Sequence, residues 1–141
     1  MTLHYNNSPN YVETTLKETV LRPTQYLDKL GVLGDNVTLA HMLGQDQSEV
    51  ETLGRTGTRA VVVPTAAVKS GAGMTQHGTL PEMLDSGMAV VLGTDAWNNS
   101  TLLETNRAMY LIALLYKYAR HDSTAIPSST ALEMATLHGH E

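Results

Sequence analysis

The chain has 141 residues and carries 9 Lys and Arg against 14 Asp and Glu, a formal net charge of −5. With 42% hydrophobic and 16% charged residues the composition is that of a globular chain with a core to bury, which excludes disordered, collagenous and disulfide-rich classes. Cys is absent, so thiolate sites are excluded and any metal must be held by His, Asp or Glu. The acid excess and the lack of a basic cluster exclude a phosphate-tracking nucleic-acid surface, and no apolar run approaches a membrane span. Met1 to Asn7 lacks the charged and apolar regions of a signal peptide, so the expected location is cytoplasmic, with no membrane partner. Phe is absent and Trp occurs once, which leaves Leu, Val, Ala, Met and Tyr to fill the core and points to aliphatic strands.

In chain order, a short β-like segment runs four times through a polar loop into a helix. The first strand is Thr2 to Tyr5 and opens on the loop Asn6 to Pro9. A helix follows from Pro9 with Tyr11, Val12, Leu16 and Val20, and another follows Pro23 with Tyr26, Leu27 and Leu30 before Gly31 and Gly34 stop it. The second strand is Val37 to His41. Asp46 to Glu49 has the form of a capping box for a short helix through Leu53, ended by Gly54 and Gly57. The third strand, Arg59 to Val63, is apolar on both faces and suits a covered parallel sheet. After Pro64 comes a long loop with Gly71, Gly73 and Gly78; Thr79 then caps a helix from Leu80 to Ser86. The fourth strand, Met88 to Leu92, delivers Gly93, Thr94 and Asp95 at its C-terminal end. Helices from Leu102 to Ala119 and from Ser128 to Leu137 close the chain. Strands alternating with helices at this spacing predict βαβ units, hence an α/β fold.

Three of the four strands carry an ionisable residue at or near the C-terminal end: His4, His41 and Asp95. Taken singly, each reads as a satisfied polar residue at a strand end. In parallel α/β folds, however, ligands gather at that end, so the three would meet on one rim. His and carboxylate without Cys suit a hydrolytic zinc or iron centre, where the metal lowers the pKa of bound water toward ~7.

The segments Gly31-Val32-Leu33-Gly34-Asp35-Asn36-Val37-Thr38-Leu39-Ala40-His41, Leu92-Gly93-Thr94-Asp95, Asn98-Asn99-Ser100 and Ala131-Leu132-Glu133-Met134-Ala135-Thr136 resemble the amidohydrolase superfamily, in the branch with cytosine, guanine and S-adenosylhomocysteine deaminases and triazine hydrolases. His4-Tyr5-Asn6-Asn7-Ser8-Pro9 is similar to the family's His-x-x-Glu-Thr segment. The resemblance covers nearly the whole chain. It implies that residues 1–141 form one partial barrel domain, strands five to eight of a TIM (β/α)8-type fold. It implies a metal-dependent hydrolase of non-peptide carbon–nitrogen bonds, with zinc or iron as cofactor and a cyclic amidine or nucleobase-like small molecule as substrate. His4 and Asp95 would be metal ligands, His41 and Asp95 catalytic residues, and Asn7 and Asn98 substrate contacts.

Three departures qualify the implied activity. The family's His-x-His pair has no counterpart in this chain, so its own residues number too few for a catalytic zinc. Asn7 stands where the family has a proton-shuttling Glu, and an amide has no proton to exchange at useful pH. Val62-Val63-Pro64-Thr65-Ala66-Ala67-Val68-Lys69 stands where the family has His-x-Pro-x-Ser-Asn-x-Lys, so Val62, Ala66 and Ala67 replace polar side chains. Glu13 and the isolated His77, His121, His138 and His140 read as solvated. The expectation is a truncated or degenerate hydrolase, inactive alone. Its open strand edges would self-associate or take a partner chain; the alternative is a non-catalytic interaction module using the same half-barrel surface.

Overall fold

A computed structural model describes residues 1–139 of the chain. Strands β1 (Thr2–Tyr5), β2 (Thr38–His41), β3 (Arg59–Val62) and β4 (Val90–Leu92) form one parallel sheet in the order β1-β2-β3-β4. This sequential parallel order, each strand reached through helices, is the arrangement of consecutive strands in a (β/α)8 wall. Side chains alternate across the sheet: Tyr5, Leu39, Ala60, Val62, Val90 and Leu92 are buried. On the opposite face, one row runs His4, Ala40, Val61, Val91 in register, with His4 exposed and the other three half-buried. That face is the lumen side of the curved wall. The third strand is therefore covered on one side and half-open on the other, rather than covered on both.

The helices follow local chemistry. Helix α1 (Pro9–Thr19) and helix α2 (Pro23–Lys29) both start on proline, whose missing N–H costs nothing in the first turn. Helix α3 (Gln47–Thr56) is capped by Asp46 as expected: Asp46 Oδ1 accepts from Glu49 N–H at 2.9 Å and Glu49 Oε2 accepts from Asp46 N–H at 3.1 Å. It ends at Gly57, whose φ of 69° is left-handed; Gly54 does not end it, because one interior glycine costs only ~1 kcal/mol. The segment read as a long glycine loop contains helices α4 (Pro64–Lys69) and α5 (Met74–His77). Helix α6 (Leu80–Asp85) follows, with Thr79 turned to Gln45 Oε1 at 3.4 Å instead of capping it.

Helix α7 (Trp97–Ser100) is a single turn that no periodicity signalled, and α8 (Thr105–Arg120) buries Ala108, Ile112 and Tyr116 at intervals of four, one stripe of a 3.6-residue period. Helix α9 (Ser128–Ala135) ends before a 3₁₀ turn, Leu137–Gly139. There His138 departs from the solvated role expected of it: its Nδ1 donates to the Val90 carbonyl at 3.0 Å, docking the turn on β4. His77 and His121 are exposed as expected, and His140 lies outside the described residues. Among the described residues no helix is long and apolar enough to cross a membrane.

Candidate functional site

Four of the eight non-glycine residues with left-handed backbone among the described residues lie at the C-terminal ends of the strands. Asn6, His41, Met42 and Asp95, none of them glycine, have φ values of 44°, 83°, 58° and 61°. A non-glycine residue in this region costs on the order of 1–3 kcal/mol and persists only where its surroundings over-determine it. Here they do. Met42 N–H donates to Tyr5 O at 3.3 Å, Leu43 N–H to Asn6 O at 2.9 Å and Gly44 N–H to His77 O at 2.6 Å. The turn 41–44 is thus tied to the end of β1 and to α5.

This turn sets His41 beside His4, their ring centroids 4.8 Å apart and edge-on at 83°. Partial burial, then the neighbouring His4, push the His41 pKa below its ordinary value, against the opposing pull of the Asp95 charge. At neutral pH the ring is an imidazole with a free lone pair. Asp95 is held in turn: its Oδ1 accepts from Ala96 N–H at 2.6 Å and its Oδ2 from Asn99 Nδ2 at 3.3 Å. Asn99, four residues on, belongs to the Asn98-Asn99-Ser100 motif but is not among the expected site residues; the i, i+4 spacing across a helical turn is the sequence signal that points to it.

A cavity of about 600 Å³ opens at this rim, with Asn7, His41, Lys69, Asp95, Asn98 and Asn99 in its lining. Four of the five predicted site residues, His41, Asp95, Asn7 and Asn98, therefore face one space. His4 reaches it only through its contact with His41; its own groove, about 230 Å³, lies toward Tyr11, Pro23 and Tyr26. Lys69 was not anticipated as a site residue, yet its Nζ donates to the Asn98 carbonyl at 2.8 Å and joins α4 to α7. Ala66 and Ala67 form an apolar part of the wall. Glu13 is exposed on α1. A larger cavity of about 870 Å³ lies at the opposite end of β4, around Met88, Ala89, Arg120 and Glu133, and holds none of the predicted residues.

The donors on the rim, two imidazoles and a carboxylate, are of the type that binds zinc or iron. Among the described residues, however, no group of three or more His, Asp or Glu is placed to hold a metal ion. Alone, these residues do not make a metal site.

The profile of the amidohydrolase family matches residues 1–141. A 5-methylthioadenosine/S-adenosylhomocysteine deaminase from Syntrophobacter fumaroxidans is 32% identical over 137 residues, covering 97% of this chain and 31% of that protein. A 5'-deoxyadenosine deaminase from Methanopyrus kandleri is 31% identical over 135 residues, again 31% of its length. Among solved structures, an adenosine deaminase from Xanthomonas campestris with bound zinc aligns with a TM-score of 0.91 at 25% identity, covering 98% of this chain and 31% of that one. A zinc-complexed atrazine chlorohydrolase from Arthrobacter aurescens aligns at 0.88 and 22% identity, over 97% of this chain and 30% of that one, a likeness of fold. The chain thus spans about a third of the length of these relatives, and its four-stranded sheet is a partial (β/α)8-type barrel. With the family profile matched from end to end, this chain belongs to the amidohydrolase family.

Proposed function

We propose that this chain carries one side of the active site of a metal-dependent hydrolase acting on non-peptide carbon–nitrogen bonds, with a nucleobase-like or other cyclic amidine substrate, and that it is inactive alone. The observation that carries the reading is that His41 and Asp95, both on left-handed backbone, line one cavity at the C-terminal rim of the parallel sheet, with the His4 ring edge-on against His41. The deaminase relatives support the reaction class. His4 and Asp95 would contribute to a divalent metal's ligand shell, which residues outside this chain complete; such a metal, when bound, makes hydroxide available near neutral pH. His41, a neutral imidazole on the cavity wall, accepts a proton or a substrate hydrogen bond, and Asn7, Asn98 and Asn99 offer amide donors and acceptors to a heterocycle edge. Asn7 supplies no titratable proton, so proton handling falls to His41 and Asp95.

The test is metal analysis of the purified chain, alone and co-produced with the N-terminal barrel half of the Syntrophobacter relative. The chain alone should retain little zinc or iron, and the pair about one equivalent, lowered by H4A or D95A. A metal-free pair, or a pair whose metal survives both substitutions, removes the reading. A second reading, a non-catalytic interaction module, is favoured by the half-open lumen face and by Trp97, Leu103, Tyr110 and Tyr118, each at least 61% exposed. It predicts a stable complex with the same barrel half, unchanged by H4A and D95A and devoid of metal.

A further inference from the structure

At the Gly44 end of the turn 41–44 sits a charged cluster that the proposed function does not use. Glu49 is fully buried, an unusual state for a carboxylate, and every bond it makes is accounted for. Its Oε1 accepts from Thr24 N–H at 2.9 Å and its Oε2 from Asp46 N–H at 3.1 Å. Arg22 grips it through Nε at 2.8 Å and Nη2 at 2.7 Å, and the same Nε lies 2.8 Å from Asp46 Oδ2. The second job of Arg22 is the telling one: Nη2 also donates to the Gly44 carbonyl at 2.6 Å.

Gly44 closes the strained turn that begins at His41. It has a φ of 84°, and a Cβ there would lie 3.0 Å from Val12 Cγ2, so the turn is pressed against α1 as well. Its N–H is bound by His77 O and its C=O by Arg22, which fixes both faces of one peptide position. Upstream, His41 and Met42 are both left-handed, and the same turn is held by Met42 N–H on Tyr5 O and Leu43 N–H on Asn6 O. Tyr5, next in chain to His4, hydrogen-bonds Thr24 Oγ1, and Thr24 N–H is on Glu49, so the cluster ties down the β1 end too.

We propose that Arg22, anchored by buried Glu49, is a positioning residue for His41: its fork holds the 41–44 turn in its left-handed path and so keeps the imidazole against His4 on the rim. The functional consequence rests on the reading given above, but the positioning itself does not require any activity.

Arg22→Lys is the decisive variant, because a single ammonium keeps a cation beside Glu49 and Asp46 but cannot reproduce the fork to Gly44 O. In hydrogen exchange, the Leu43 and Gly44 amides should exchange at least about tenfold faster than in the parent, while amides of Val62 and Ile112 stay unchanged. The cross-peak between His4 and His41 ring protons should weaken at least about twofold, a change that loss of stability elsewhere would not produce. Arg55→Lys, which disturbs only the exposed Arg55–Asp28 pair at 3.1 Å, should leave both readouts alone. If Arg22→Lys does not fold, the double substitution Arg22→Met with Glu49→Met removes both charges together and should show the same local loosening. Unchanged exchange at 43–44, or equal acceleration at 62 and 112, overturns the proposal. A loosened turn in a chain that fails the metal test leaves the positioning intact and sinks only the hydrolase reading.

Discussion

Gly93 follows β4, two residues before Asp95, and its substitution by alanine tests whether sheet packing places the rim. Gly93 N–H donates to Val62 O at 2.9 Å, which draws the strand end close to β3. An added Cβ would lie 2.7 Å from Val61 Cγ1, with Val63 Cγ2 at 3.6 Å and Val62 O at 3.8 Å. Carbon atoms pack at about 3.5–4.0 Å, so the overlap with Val61 is roughly 1 Å. Val61 is β-branched and stiff at χ1, so the strand end must move instead. Overpacking of this kind costs about 1–3 kcal/mol. The backbone there is not left-handed, so alanine also gains about 0.4–1 kcal/mol by restricting the unfolded chain. The net expectation for Gly93→Ala is a loss of roughly 0.5–2 kcal/mol. Val61→Ala removes the offending methyl and, at a half-buried site, costs about 1 kcal/mol by itself. Urea unfolding of the parent, both single variants and the double variant should show the double variant about 1–2 kcal/mol more stable than additivity predicts, with unchanged m-values. The Asp95 amide resonance should shift in Gly93→Ala and return in the double variant. Additive effects within about 0.5 kcal/mol, or a stabilised Gly93→Ala, would refute the argument.

Two further outcomes follow from the polar interior. Burial would raise the Asp46 pKa, but hydrogen bonds from Ser48 and Glu49 N–H and the Arg22 charge hold it below its ordinary 3.8. A carboxyl depressed on folding stabilises the fold above its unfolded pKa and loses that contribution as pH falls through its folded pKa. Since the side chain is 44% exposed, Asp46→Asn should cost about 0.5 kcal/mol at pH 6, a difference that closes in urea titrations as pH falls below the ordinary carboxylate range; a gap independent of pH would contradict it. Tyr116 is buried and its O–H donates to Met74 O at 3.0 Å, which also accepts from Gly78 N–H at 2.9 Å. Because that carbonyl keeps one donor, Tyr116→Phe should lower stability by only about 0.5–1 kcal/mol in a thermal melt, and a loss above 2 kcal/mol would mean the hydroxyl does more than the bond shows.

Much of this architecture was legible in the residues because it rests on short-range rules. A short apolar run before a Pro marks Arg59 to Val63 as a strand, of which Arg59–Val62 forms, and Asp46 with Glu49 marks the start of α3, since capping involves atoms three residues apart. The same local logic failed between Pro64 and Gly78, where glycines suggested a loop. There α4 and α5 form because Pro64, Ala66, Ala67 and Met74 find a core to bury against, and burial overrides weak propensity. The placement of His41 and Asp95 at strand ends could be read from sequence order; that Asn7 and Asn98 share their cavity required the folded loops.

What the sequence determined by itself is the parallel α/β wall, the aliphatic core that a Phe-free composition demands, and the three ionisable strand ends that any such wall brings to one rim. What only the tertiary structure decided is how those ends are held. The left-handed residues Asn6, His41 and Met42 are held by hydrogen bonds between residues far apart in the chain: Leu43 N–H reaches Asn6 O, Arg22 reaches Gly44 O across 22 positions, and His77 O accepts from Gly44 N–H. Strain at a non-glycine residue leaves no mark in its own neighbourhood of sequence, because the groups that sustain it are supplied by the packing of other elements.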